Sequence, residues 1–184
     1  MSQLRLDKIF VVDIEATCWD TEHGEKPPVG EESEIIEIGI AELDIDKGEI
    51  TRTWDYLIKP KQSKISKFCT DLTTLTQEVV DKGVPFEHAI KEMIKTGTKS
   101  RVWASYGEYD KKMFKKQCEA RGVEYPFHEQ HLNVKTLFCF KNKIHKGIGT
   151  HKAVETLGLT FEGTPHRGID DAKMIAKILA SVLK

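Results

Sequence analysis

No stretch of this chain approaches the roughly 20 apolar residues that a bilayer-spanning helix requires, so no transmembrane helix and no membrane partner are expected. Cysteine is sparse and unpatterned. Cys18, Cys69, Cys118 and Cys139 carry no CxxC spacing, which argues against a disulfide scaffold or a cysteine zinc site. Reduced, mostly buried thiols in a cytoplasmic protein are the expectation. An excess of one charge sign is also missing: a net charge of −1 over 184 residues excludes a globally basic nucleic-acid wrapper but leaves room for a local basic patch. Residues 1–7 mix polar and apolar side chains and run straight into strand-like sequence, so no signal peptide is expected. Internal repeats, low-complexity tracts and linkers are absent, which predicts a single domain over residues 1–184.

What remains is an ordinary globular composition, 39% hydrophobic and 31% charged, long enough to bury a core without staples. Residues 8–14 (Lys-Ile-Phe-Val-Val-Asp-Ile) form a continuous apolar run rich in β-branched side chains, as a central buried strand requires. Residues 20–33 are polar, with Gly24, Pro27, Pro28 and Gly30, and read as a long exposed loop. Residues 35–44 and 50–58 are further strand candidates around an Asp46-Lys47-Gly48 turn, giving an antiparallel meander. The pattern then turns helical. Phe86, Ala89, Ile90, Met93 and Ile94 make an i, i+3, i+4 stripe over residues 85–96. A short strand over 101–105 and a helix over 109–121, ended by Gly122, follow. A weak strand at 132–134, helical stretches at 135–142 and 151–157 and a strongly amphipathic helix over 170–183 complete the chain. The succession predicts an α/β fold with one mixed sheet, a meander followed by alternating helix and strand, flanked by helices.

Carboxylates recur at the ends of these elements. Asp13 and Glu15, two apart on a strand, project from one face at the end of an otherwise apolar run. Asp110 opens a helix after Ser105-Tyr106-Gly107-Glu108-Tyr109. His166 lies in the loop before the last helix, which Asp170 and Asp171 begin. Each acid has an ordinary explanation as a solvated strand end or a charge complementing a helix dipole. Asp171 is the better inward candidate because it precedes Ile175 by one turn, whereas Asp170 would point away. Four acids able to gather divalent cations, with a histidine able to take a proton near neutral pH, are the parts required for metal-assisted phosphodiester hydrolysis. Oxygen ligands without Cys or His clustering suit Mg²⁺ or Mn²⁺ rather than zinc.

The set Val12-Asp13-Ile14-Glu15-Ala16-Thr17, Ser105 to Asp110, and His166-x-x-x-Asp170-Asp171-Ala172 resembles the three motifs of DEDDh 3′→5′ exonucleases, the group of RNase T and polymerase proofreading subunits. Glu15-Ala16-Thr17-Cys18-Trp19, residues 33–39, Lys67-Phe68-Cys69-Thr70, residues 72–77 and Pro165-His166-Arg167-Gly168 are closer still to the enhanced-RNAi and histone-mRNA 3′-exonuclease family. The resemblance implies an RNase H-like, five-stranded fold and a 3′→5′ exonuclease acting on single-stranded nucleic acid, RNA favoured, that releases nucleoside 5′-monophosphates with two Mg²⁺ (or Mn²⁺) ions. It implies Asp13, Glu15, Asp110 and Asp171 as metal ligands, and His166, as general base, and Glu15 as the catalytic residues. Ala16, Thr17, Trp19, Leu72, Thr73 and Leu75 are the expected contacts to the terminal nucleotide, by stacking and apolar contact, with a place in the core an equal reading for Trp19. Thr74 departs from the family, standing where many relatives carry glycine. The chain also begins at the first strand, without the N-terminal nucleic-acid-binding module of eukaryotic members, so its substrate preference need not be theirs. A DNA 3′ exonuclease of proofreading type and a non-catalytic nucleic-acid-binding regulatory module are the competing readings.

Two further groups bear on substrate handling. Lys141, Lys143, Lys146 and Lys152, with His145 and His151, form a basic stretch that could follow a phosphate backbone or simply face solvent. His128 and His131 have HxxH spacing but neither helical periodicity nor adjacent acids, and are read as surface residues.

Overall fold

The computed structural model describes residues 4–184. Five strands, β1 (Arg5–Ala16), β2 (Ile35–Asp44), β3 (Glu49–Leu57), β4 (Arg101–Ser105) and β5 (His131–Asn133), form one mixed sheet in the order β3-β2-β1-β4-β5. β1 pairs antiparallel with β2 and β2 with β3, while β4 runs parallel to β1 and β5 parallel to β4. The expected meander and the alternation after it are both present. β1 starts earlier than its apolar run because the exposed residues Arg5, Leu6 and Asp7 extend it beside β4, where Arg5 pairs with Arg101.

Helices α3 (Phe86–Lys95) and α4 (Tyr109–Arg121) cover one face of the sheet. They bury Phe86, Ala89, Ile90, Met113 and Phe114 against Phe10, Val12 and Ile14. The other face carries α5 (Val134–Lys141), α6 (Thr150–Thr156) and α7 (Gly168–Leu183), packed on Ile9, Val11, Ala41 and Leu43. With both faces covered, β1 over residues 9–12 and β2 over residues 35–43 are mainly apolar. Alternation then decides where the acids go: Asp13 and Glu15 continue the Ile9–Val11 row and so lie on the α7 side.

Two short helices, α1 (Lys67–Thr73) and α2 (Gln77–Val80), were not expected. They span seven and four residues, too short and too poor in apolar periodicity to stand out. Side chains cap both: the Ser66 hydroxyl accepts from Cys69 N–H at 2.9 Å and the Thr76 hydroxyl from Val79 N–H at 3.3 Å. Ser66 also donates to the Cys18 carbonyl at 2.6 Å, fastening α1 to the segment that leaves β1. Cys69, Leu75 and Val80 fill a small core with Ile36.

Thr74 closes α1 in the left-handed region, φ 65° and ψ 0°, and its side chain is exposed. A non-glycine residue there costs about 1–2 kcal/mol, of which glycine's greater unfolded-state freedom returns about 0.5–1 kcal/mol. Thr74→Gly is therefore expected to stabilise the fold by about 0.5–1 kcal/mol, raising the thermal midpoint by about 1–4 °C. A lower midpoint in that variant would show that the Thr74 side chain makes a compensating contact.

Candidate active site

The four acids and the histidine meet in one cleft of about 360 Å³ at the carboxyl end of β1. Asp13, Ile14, Glu15, Asp110, His166 and Asp171 line it, together with Tyr106, Tyr109, Gly149, Thr150 and His151. Asp13, Glu15 and Asp171 each bring a carboxylate oxygen to within 4.8 Å of the other two. Asp110 stands outside that group of three but borders the same cleft, and its Oδ1 accepts from Ile14 N–H at 3.2 Å.

Each acid is placed by a different piece of the fold. β1 carries Asp13 and Glu15, and α4 carries Asp110 in its first turn, 5% exposed. Asp171 sits in the first turn of α7, buried on the side of Ile175. That turn touches the sheet backbone. An added Cβ on Gly39, the β2 partner of Asp13, would lie 2.1 Å from the carbonyl carbon of Gly168, and one on Gly168 would lie 3.0 Å from Gly39 N. Two facing glycines thus bring the start of α7 against β2, beside Asp13. Asp170 turns away, as expected: its Oδ2 accepts from Thr164 N–H at 2.9 Å and its other oxygen meets Lys173.

His166 is exposed and holds φ 59°, a left-handed conformation uncommon outside glycine and asparagine. Strain of this kind survives only where the surroundings over-determine it.

The electrostatics are one-sided. Burial, then the charges of Asp110, Glu15 and Asp171, push the Asp13 carboxyl well above its usual range. Glu15 is pushed up to about 8 by burial, then by Asp171 and Glu37. Burial raises Asp110 to about 6 against opposing backbone hydrogen bonds. Asp171 is raised by burial and partly relieved by His166. No lysine or arginine is among the residues lining the cleft. Converging oxygen donors with no cationic side chain beside them suit a hard divalent ion, and sulfur and nitrogen donors are not gathered as zinc would want.

The expected nucleotide contacts lie around α1 and the end of β1. Leu72 is exposed, whereas Ala16, Thr17, Trp19, Thr73 and Leu75 are buried. The Thr17 hydroxyl is engaged internally, accepting from Glu34 N–H at 2.9 Å, and Thr73 donates to the Cys69 carbonyl at 2.8 Å.

The basic stretch follows its solvent-facing reading at Lys141 and Lys152, and His131 departs from its own. Lys141 donates to the Ser181 and Val182 carbonyls at the far end of α7, and Lys152 pairs with Glu155. Of that stretch His151 lines the cleft, its ring stacked on Phe161 at 4.7 Å. His131 is not a surface residue. Its side chain is 1% exposed, lies against Trp103 at 4.3 Å and meets the Ser105 hydroxyl at 2.9 Å, and burial lowers it to about 4. Neutral, and with Ser105 donating to the Gly107 carbonyl, it stiffens the turn that delivers Asp110. Among the site residues, sequence reasoning passed over Tyr106, Tyr109 and Thr150. The signal available was an aromatic on either side of Gly107, next to the helix start that bears Asp110.

Human 3′-5′ exoribonuclease 1 is 31% identical over 189 residues, 97% of this chain and 53% of that protein. The Drosophila melanogaster 3′-5′ exonuclease Snipper is 27% identical over 198 residues, covering 96% of this chain and 69% of Snipper. The chain thus spans about half the length of the human relative. Among solved structures, the nuclease domain of 3′hExo, a DEDDh family member bound to rAMP, superposes with a TM-score of 0.84 at 29% identity, covering 99% of this chain and 94% of that one. The fold is that of the RNase H-like DEDDh nucleases. The Exonuclease (RNase_T) family model matches residues 10–179, from within β1 to the last turns of α7, and the chain belongs to that family.

Proposed function

We propose that this chain is a metal-dependent 3′→5′ exonuclease that removes nucleoside 5′-monophosphates from the 3′ ends of single-stranded nucleic acid, with RNA the favoured substrate. The observation that carries this reading is the convergence of Asp13, Glu15, Asp110, Asp171 and His166 on one cleft. Relatives named as exoribonucleases and a structural neighbour bound to rAMP support RNA. Four free cysteines support the reduced, cytoplasmic setting expected from the sequence.

Asp13, Glu15, Asp110 and Asp171 would hold two divalent cations, Mg²⁺ or Mn²⁺. Such ions supply charge stabilisation for the attacking and leaving oxygens of a phosphodiester. The protein's own part is to aim the acids and to move the proton. His166, exposed and lining the cleft, takes one proton of the attacking water as its oxygen bonds to the phosphorus of the terminal nucleotide. The bond from that phosphorus to the preceding 3′ oxygen breaks, and that oxygen takes a proton from solvent to become the new 3′-hydroxyl. Ala16, Thr17, Trp19, Leu72, Thr73 and Leu75 shape the wall for the last nucleotide, where α1 meets the end of β1.

Matched single-stranded RNA and DNA oligonucleotides, incubated with Mg²⁺, Mn²⁺ or chelator, test the reading. Wild type is expected to shorten RNA from its 3′ end with either ion, to lose activity in chelator, and to exceed its rate on DNA. Asp13→Ala is expected to be inactive. Absence of ion-dependent cleavage by wild type would sink the proposal and favour a binding module. Preference for DNA would shift the substrate to a proofreading-type activity.

His166→Asn places a residue tolerant of left-handed backbone at φ 59° while removing the imidazole. Activity is expected to fall ~10²–10⁴-fold with an undiminished thermal midpoint. Wild-type turnover in that variant would remove the base assignment.

The raised carboxyls also make the metal-free protein pH-sensitive. Glu15 rises from 4.5 to about 8 on folding and Asp110 from 3.8 to about 6, so the folded state holds these protons more tightly than the unfolded chain. Stability is therefore greatest below the unfolded values and declines as pH rises through the folded ones. Cations replace those protons, so the thermal shift on adding Mn²⁺ or Mg²⁺ should be larger at pH 8.5 than at pH 5.5. Equal shifts at the two pH values would contradict the role of these acids as ligands.

A further inference from the structure

Glu37 is a buried acid next to the cleft that this mechanism does not use. It lies on β2 opposite Glu15, is 1% exposed, and adds negative charge to a neighbourhood already crowded with it. Burying a carboxylate there is costly, and an apolar residue would cost less. Its oxygens are fully engaged instead. Oε1 accepts from Arg167 Nη2 at 2.6 Å and from Arg167 Nε at 3.0 Å, and Oε2 accepts from Gly168 N–H at 2.6 Å.

These partners sit between the two residues that matter most on this side of the cleft. Arg167 follows His166 directly, and Gly168 begins the helix that carries Asp171. The Arg167 N–H in turn donates to Asp171 Oδ2 at 3.2 Å, so the orientation of that carboxylate is linked to the same residue. On the outer side of the turn, Asp170 accepts from Thr164 N–H and fills the space beside Gly163, where an added Cβ would meet its carboxyl carbon at 2.3 Å. The turn is held from both sides, and the strained φ of His166 lies in between.

We propose that the Glu37–Arg167 pair is a positioning device that locks the His166 turn and the first turn of α7 onto the sheet, keeping His166 and Asp171 in register with Asp13 and Glu15. Arg167 also balances the Glu37 charge, so the pair fixes geometry without leaving another free anion beside Glu15. A bidentate guanidinium–carboxylate contact defines orientation in a way a lysine ammonium does not. The inference rests on the site reading above.

The test uses Glu37→Gln, which keeps an oxygen for Gly168 N–H but removes the charge, with Arg167→Lys and Arg167→Met. For each, kcat and KM on single-stranded RNA, Mn²⁺ affinity by calorimetry, and thermal midpoint are measured. The pair's loss is expected to lower kcat by ~10–100-fold, as a displacement of about 1 Å does, and to weaken Mn²⁺ binding, with KM nearly unchanged. Arg167→Lys should retain more activity than Arg167→Met, and Glu37→Gln/Arg167→Met should be no worse than the weaker single variant. A merely structural role would lower the midpoint while leaving kcat per folded molecule and Mn²⁺ affinity intact, and that result overturns the proposal. Because Arg167 is partly exposed, its variants remain informative if Glu37→Gln folds poorly. Asp171→Ala separates the two levels: full activity there defeats the site reading itself. Loss there with normal Glu37→Gln and Arg167→Met defeats only this inference.

Discussion

The contact between Gly39 and Gly168 is the constraint on which the rest of the site depends. Along most of its length α7 is held off the sheet by side chains, with Ile175, Ile178 and Leu179 resting on the apolar face that includes Ile9, Val11, Ala41 and Leu43. At its first residue that spacing collapses to backbone against backbone. Any side chain at Gly39 would lift the helix start, and Asp171 would leave the 4.8 Å group it forms with Asp13 and Glu15. A helix that is spaced by its core at one end and by nothing at the other is thereby tilted toward the acids. The Glu37 carboxylate, two residues before Gly39 on the same face, caps that helix start where a serine or aspartate cap would otherwise be needed.

Holding four carboxylates around one cleft opposes folding, and the upward shifts of Asp13, Glu15, Asp110 and Asp171 express that opposition. The left-handed His166 backbone adds to it. Such a site persists because the rest of the domain is conventional: both faces of β1 and β2 are buried, and the stabilisation resides in contacts that the chemistry does not touch. Stability and activity are in tension at these few positions.

Much of this was legible in the amino-acid sequence. The limits of β2, β4 and α4 follow from apolar runs, turn residues and the closing Gly122, and the α7 stripe alone separates Asp171 from Asp170. What was not legible is non-local. His131 became a core residue only because β5 sets it against Trp103 and Ser105, which no local pattern announces. The sequence left Lys141 open between a phosphate track and solvent, and the chain returns it to the carboxyl end of α7. Glu37 is a buried acid because helices cover both faces of the sheet, and the strand pattern over residues 35–44 does not mark it. Short helices such as α1 and α2 carry little periodicity, and their tertiary contacts, not their propensity, hold them.

The division of labour within the cleft follows from the same topology. Asp13 and Glu15 stand on the central strand of the sheet, and Asp110 and Asp171 in the first turns of helices packed directly on it. The rest of the cleft lining comes from other pieces: Gly149 and the start of α6, with His151 stacked on Phe161, and the Tyr106–Tyr109 turn. Exposed side chains there, such as Tyr109 and His151, stand outside the buried packing that places the acids. On the proposed reading, bond breaking depends on the sheet and the helix starts it holds, and strand selection on the loops and short elements around them.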